Sequence, residues 1–196
     1  MAGSLRIQQR EETRRTLLRE SRRLFADNGY AGVSITDIVT AAGVTKGALY
    51  HQFAGKPEVF RAVLENVQSE VAERVAAAAD AQPGAWDQLV AGCEAFLTAG
   101  ANPEIQRIML IDGPAVLGWQ EWRAMDEATS ARHLADALTS LITEGIIAPQ
   151  PVQPLTHLLS GAMNEAALWL ASGTEPGALT DTLTALRRIL DALLIR

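Results

Sequence analysis

The chain has 196 residues, 48% of them hydrophobic and 20% charged, which is enough apolar material for a sizeable core and too little charge for a disordered chain. Its net charge of -6 argues against a uniformly basic binder of nucleic acid, yet residues 1–56 carry +4 and residues 57–196 carry -10. A basic head on an acidic body points to a polyanion partner for one end only. The opening "MAGSLRIQQREETRR" has no apolar run of signal-peptide length and no later run is long enough to span a membrane, so a cytoplasmic protein without a membrane partner is expected. A single cysteine, Cys93, excludes an internal disulfide and a cysteine-rich zinc site. Its apolar context "VAGCEAF" reads as core packing.

Apolar residues recur at three- and four-residue spacing along almost the whole chain, and sustained strand-like alternation is missing. The pattern predicts an all-α protein of about nine helices: 6–27, 35–42, 46–52, 57–79, 85–99, 104–111, 119–145, 153–172 and 177–195. Breaks fall at "AQPGAW", "GANPE", "IIAPQPVQP" and "SGTEPGA", where Pro and Gly interrupt the period.

In the first segment, Arg14, Arg15, Arg19, Arg22 and Arg23 form a basic helix face, and Asn28-Gly29 supplies a helix stop. Ser34 opens "SITD", whose spacing suits a capping box with Asp37. Ile35, Ile38 and Ala42 make an apolar stripe two turns long before Gly43 ends the helix. Thr45 can cap the next helix, with Leu49 and Phe53 on its inner side and Thr45, Lys46, Tyr50 and His51 facing out. Two short helices joined by a tight Gly-containing turn have helix-turn-helix spacing, in which the second helix enters the major groove of DNA. Gly47 inside such a helix costs about 1 kcal/mol relative to Ala. Close approach to another surface would account for it.

The segment "RRLFADNGYAGVSITDIVTAAGVTKGALYHQFAGKPEVFRAVL", Arg22 to Leu64, resembles the DNA-binding head of the tetracycline-repressor (TetR) family of bacterial transcription regulators. The resemblance runs through the "LF…GY" end of the first helix, the "T.I..AAGV.KG.LY..F" core and the lysine opening the fourth helix. It implies a head at residues 5–66 and a ligand-sensing, dimerising body at 67–196. It further implies a homodimer that binds a palindromic operator, usually as a repressor, and releases it when a small hydrophobic molecule enters the body. Carried over by position, Ser34 would contact phosphate, Thr36 base or backbone, and Lys46, Gly47 and Ala48 base edges. Thr45, Tyr50 and His51 would contact phosphates, and Lys56 would hold one through its amine and its backbone N–H. Pro57 departs from the family pattern and has no N–H to offer, though it fits a first helical turn.

In the body, the last two helices are broadly apolar with small residues at Gly161, Ala162 and Ala166, and would pair across a two-fold axis. "DGPAVLGW" reads as an irregular apolar connection that puts Asp112 at a helix edge. Trp119, Trp122 and Met125 at three-residue spacing could wall an effector cavity, with Phe96, Met109, Asp112, Asn164 and Trp169 as further candidates. Asp112 or Glu165 facing that cavity would favour a cation, and a wholly apolar lining a neutral molecule. His51, His133 and His157 lack the partners that catalysis or a metal would require. Neither cofactor nor metal is expected. The function expected is a ligand-responsive transcription regulator; a helical carrier of hydrophobic ligands and a small helical enzyme are the alternatives.

Overall fold

The computed structural model describes residues 2–172 and 176–195. The described chain is helical, with one isolated antiparallel bridge joining Ile147 to Leu194. The "SGTEPGA" break falls partly on Gly173–Glu175, which lie outside the described residues.

The helices are α1 (Ala2–Asn28), α2 (Ile35–Ala42), α3 (Lys46–Tyr50), α4 (Lys56–Asp80), α5 (Ala85–Gly100), α6 (Pro103–Gln106), α7 (Gly113–Leu117), α8 (Trp119–Glu127), α9 (Ser130–Thr143), α10 (Val152–Leu170) and α11 (Ala178–Asp191). α2 has the limits its pattern predicts: Ser34 and Asp37 close a reciprocal capping box, and Gly43 ends the helix in the left-handed conformation at φ 65°. That conformation costs a side chain with a Cβ energy and costs glycine little.

Two expectations are corrected in the middle of the chain. The segment after Gly113 is no irregular connection, because Gly113–Leu117 is helical and continuous with α6 through a π-helical turn, Arg107–Asp112. Pro114 has no N–H to donate, so the preceding turn widens and Gly113 N–H donates to the Ile108 carbonyl five residues back. The helical run ends at Gly118, φ 81°. The single helix expected over 119–145 is two, parted at Ala128–Thr129. There the Thr129 hydroxyl donates back to the Met125 and Asp126 carbonyls and closes α8, while the chain turns into α9.

α4 is unbroken from Lys56 to Asp80 and carries core residues along its whole length, from Val59 and Phe60 to Val75. Its first half supports α1 and α2, where Phe25 and Phe60 meet edge to face at 5.3 Å between ring centres. α4 also packs on α5, α9 and α8, the last joined to its first half by the Arg61–Glu121 ion pair at 2.8 Å. α5 and α10 approach closely where Gly100 faces Ala167; a Cβ added at Gly100 would lie 2.9 Å from the Ala167 Cβ.

A clasp of ion pairs joins α1 to α4 and α6. Arg22 donates to Glu70 at 2.6 Å and to Glu104, and the Arg22 guanidinium holds the Glu70 carboxyl below its ordinary value. A carboxylate held down in this way contributes stability that is full above its unfolded value, near 4.5, and is lost as pH falls through its lowered folded value. The partly exposed pair is worth about 1 kcal/mol or less. Glu70→Gln should therefore lose less stability than the wild type when urea unfolding is followed from about pH 5 to about pH 3; equal losses would remove Glu70 from the acid response.

Candidate nucleic-acid interface and internal cavity

α3 stands on the surface by its own short chemistry. The Thr45 hydroxyl accepts the Ala48 N–H at 3.1 Å and starts the helix, and Leu49 and Phe53, both buried, pin its inner side. Arg14 lies over the Phe53 ring at 4.5 Å, and Gln52 donates from its side chain to the Arg10 carbonyl on α1. The helix is fixed from below. Thr45, Lys46, Gly47, Tyr50 and His51 are exposed and Ala48 is half-buried. The side chains of Lys46, Tyr50 and His51 make no hydrogen bond or ion pair among the described residues.

Gly47 has no internal reason to be glycine. Its φ is not positive, and a Cβ there would meet only the Thr45 hydroxyl, at an ordinary 3.8 Å.

Two of the expected phosphate contacts are differently occupied. The Ser34 hydroxyl donates to Asp37 at 2.7 Å and accepts the Asp37 N–H, so it belongs to the capping box. Those hydrogen bonds from Ser34, its hydroxyl first, hold the Asp37 carboxyl below its usual value. The Lys56 ammonium is turned inward: it donates to the Tyr30 carbonyl at 2.9 Å and the Val33 carbonyl at 2.8 Å, and sits 4.0 Å from the centre of the Tyr30 ring. The amine expected to hold phosphate is a staple between α4 and the α1–α2 connection. Thr36 is exposed on α2.

The basic face of α1 is in part self-neutralised. Arg19 and Arg23 reach Glu20, Arg23 also reaches Asp27, and Arg22 belongs to the clasp.

In the body, a cavity of about 440 Å³ opens between α4, α5, α8, α9 and α10. Val75, Leu89, Phe96, Leu134 and Met163 form its apolar wall. Cys93 also lines it, and burial pushes that thiol up to about 12, so it stays protonated.

Of the eight residues expected to line an effector site, Phe96 alone lines this cavity. Trp122 is 3% exposed and donates from its ring N–H to the Met109 carbonyl at 2.7 Å, so both side chains are core. Met125 packs at the edge of the same core. Trp119 and Trp169 are 64% and 51% exposed and lie on the outside. The Asp112 carboxylate accepts the Tyr30 N–H at 2.7 Å and ties the π-helical turn to the head. Asn164 lies outside the lining with its side-chain oxygen buried and without a hydrogen bond. The three-residue spacing marked a helix face correctly, but the face of Trp122 looks into core and that of Trp119 outward. Most residues that line the cavity sit on α9, α5 and the far half of α4, where the sequence signal is small residues such as Ala79, Gly92 and Ala131 among larger apolar ones.

An exposed short helix held by a capped turn, on a head joined to a hollow helical body, defines a helix-turn-helix regulator. Residues 17–63 match the family model for bacterial regulatory proteins of the tetR family, and residues 86–193 match that for a tetracyclin repressor-like C-terminal domain. The chain belongs to the TetR family of transcriptional regulators. A TetR-family regulator of Pectobacterium atrosepticum superimposes with a TM-score of 0.77 at 36% identity over 96% of this chain and 97% of that one. A helix-turn-helix transcriptional repressor of Mycobacterium tuberculosis is 28% identical over 87% of this chain and 88% of its own. The regulator AcrR of Shigella flexneri is 38% identical, but over 34% of this chain and 31% of its own. The fold is shared with RolR bound to resorcinol, at 16% identity and a TM-score of 0.71 over 93% of this chain and 89% of that one.

Replacing Gly47 by Ala should leave the protein as stable or raise its stability by up to about 1 kcal/mol in urea unfolding, and should weaken binding to duplex DNA at the same time. Lys56→Met should lower stability by about 1–3 kcal/mol, because two partly buried carbonyls lose a charged donor; an unchanged urea midpoint would show that the staple holds nothing.

Proposed function

We propose that this chain is a homodimeric, effector-controlled repressor that binds a palindromic DNA operator through α3. The observation that carries the reading is the exposed face of Lys46, Gly47, Tyr50 and His51, on which the three side chains make no hydrogen bond or ion pair with any described residue and the glycine has no internal cause. Lys46 would read guanine in the major groove and the Ala48 methyl thymine, with Gly47 letting the helix axis come close. Thr45, Tyr50 and His51 would bind phosphates, as would Thr36 at the start of α2, while Ser34 sets that helix end through its capping box. The first-turn N–H groups of α4, rather than the Lys56 amine, would serve a phosphate at that helix end.

Two half-sites require two heads. α10 offers an exposed stripe, Leu158, Gly161, Ala162 and Trp169, with Leu158 72% exposed, and α11 adds Ile189 at 55%. Paired with a second copy, α10 and α11 would make a four-helix interface. The head is then residues 5–66 and the sensing and dimerising body 67–196, joined by the continuous α4.

A molecule in the cavity would touch the far half of α4, which at its other end holds the head through Lys56. Binding better to a conformation whose recognition helices no longer match successive major grooves would couple effector binding to operator release. The solved complex of RolR with resorcinol is a structural neighbour of this chain and supports looking for a small effector.

Selection from a random duplex library, followed by titration at several salt concentrations, tests the reading. Affinity should fall steeply as salt rises, by a log–log slope of roughly 0.9 per phosphate contacted, and the selected sequences should be palindromic. Lys46→Ala should change which sequences are selected. Binding indifferent to salt, or no selected sequence, would refute the proposal.

A further inference from the structure

The cavity has a charge pattern that its apolar wall conceals. Its titratable side chains besides Cys93 are four carboxylates, Asp126 at depth and Asp80, Asp136 and Glu144 towards the outside, and one histidine, His133, which is exposed. No lysine or arginine lines it. Asp80, Asp136 and Glu144 make no ion pair with any described residue. Asp126 is 5% exposed and paired with Arg123 at 2.8 Å, which also reaches Glu127 at 3.3 Å, and burial pushes the Asp126 carboxyl up, so the free negative charge is that of Asp80, Asp136 and Glu144.

Independent of charge, Ser130 lines the same space, and its hydroxyl makes no hydrogen bond with any described residue. A hydroxyl accepts as readily as it donates. The volume, about 440 Å³, is in the range of drug-sized organic ligands.

We infer that the cavity takes an amphipathic organic cation, an ammonium or amidinium group joined to an aromatic or branched apolar body. The apolar body lies against Val75, Leu89, Phe96, Leu134 and Met163, and the positive end faces the carboxylates. Opposite charge in a partly desolvated site attracts far more strongly than in bulk water, and the same field repels anions. The inference rests on the regulator reading only in taking this cation as the effector.

Calorimetric titration of the full chain without DNA tests it with three probes: benzyltrimethylammonium, its uncharged carbon isostere neopentylbenzene, and the anion 3-phenylpropanoate. The cation should bind about tenfold or more tighter than the isostere, and the anion most weakly. Asp136→Asn combined with Glu144→Gln changes exposed residues that the fold does not need. It should lower affinity for the cation about threefold or more and leave that for the isostere unchanged. Asp126→Asn should act in the same direction, with its circular dichroism checked for folding. An isostere or anion that binds as tightly as the cation, binding by none of the three, or a double variant with unaltered cation affinity would overturn the inference. Release of the selected duplex by the cation is measured separately. Cation preference without release refutes the effector role and leaves the cavity assignment standing; operator binding without cation preference refutes the cavity assignment alone.

Discussion

The architecture turns on Tyr30. Its carbonyl accepts the Lys56 ammonium from the first turn of α4, its N–H donates to Asp112 in the π-helical turn, and its ring packs against Phe25 and Phe60 beneath that ammonium. One residue in a short connection thus fastens the helix-turn-helix to the long helix and to the body together. The charge of Lys56 is stabilised there by two carbonyls and a ring face, which is why its amine points inward. Arg107 reinforces the junction. Its guanidinium lies against Gly29, at a place where a Cβ would stand 2.3 Å from it, and within 3.5 Å of Asp112.

From this junction α4 runs as one helix of 25 residues, about 37 Å at 1.5 Å per residue. Val75, Ala76, Ala79 and Asp80 at its far end line the cavity, and Lys56 at its near end holds the head. A stiff element that borders both regions is the natural carrier of a two-state change, since packed helices shift as units. The Arg22 clasp with Glu70 and Glu104 lies along the same line.

The head was legible in the sequence because its structure is local. The capping box of Ser34 and Asp37, the left-handed stop at Gly43 and the Thr45 cap are each closed within four residues, and the α2 limits follow from them. The π-helical turn was local too, but its sign is easy to misread: Gly113-Pro114 usually ends a helix, and here α6 continues through a widened turn because Gly113 can still donate to Ile108. The Lys56 position shows the opposite difficulty. Its partners, Tyr30 and Val33, are 26 and 23 residues away, and no local spacing reveals that they meet.

The amino-acid sequence by itself determined the helical class, the exposed face of α3 and the family, since these depend on periodicity, caps and a dense run of specific residues. Only tertiary structure decided which of two similar tryptophans is core: Trp122 finds the Met109 carbonyl and Trp119, three residues earlier, finds solvent. It also decided where the body is hollow. A cavity is a gap between helices that diverge, set by small residues on several elements, and its carboxylates, Asp80, Asp126, Asp136 and Glu144, come from α4, α8 and the α9 region. Periodicity reports which side of one helix is apolar; the space between five helices is a property of their packing alone.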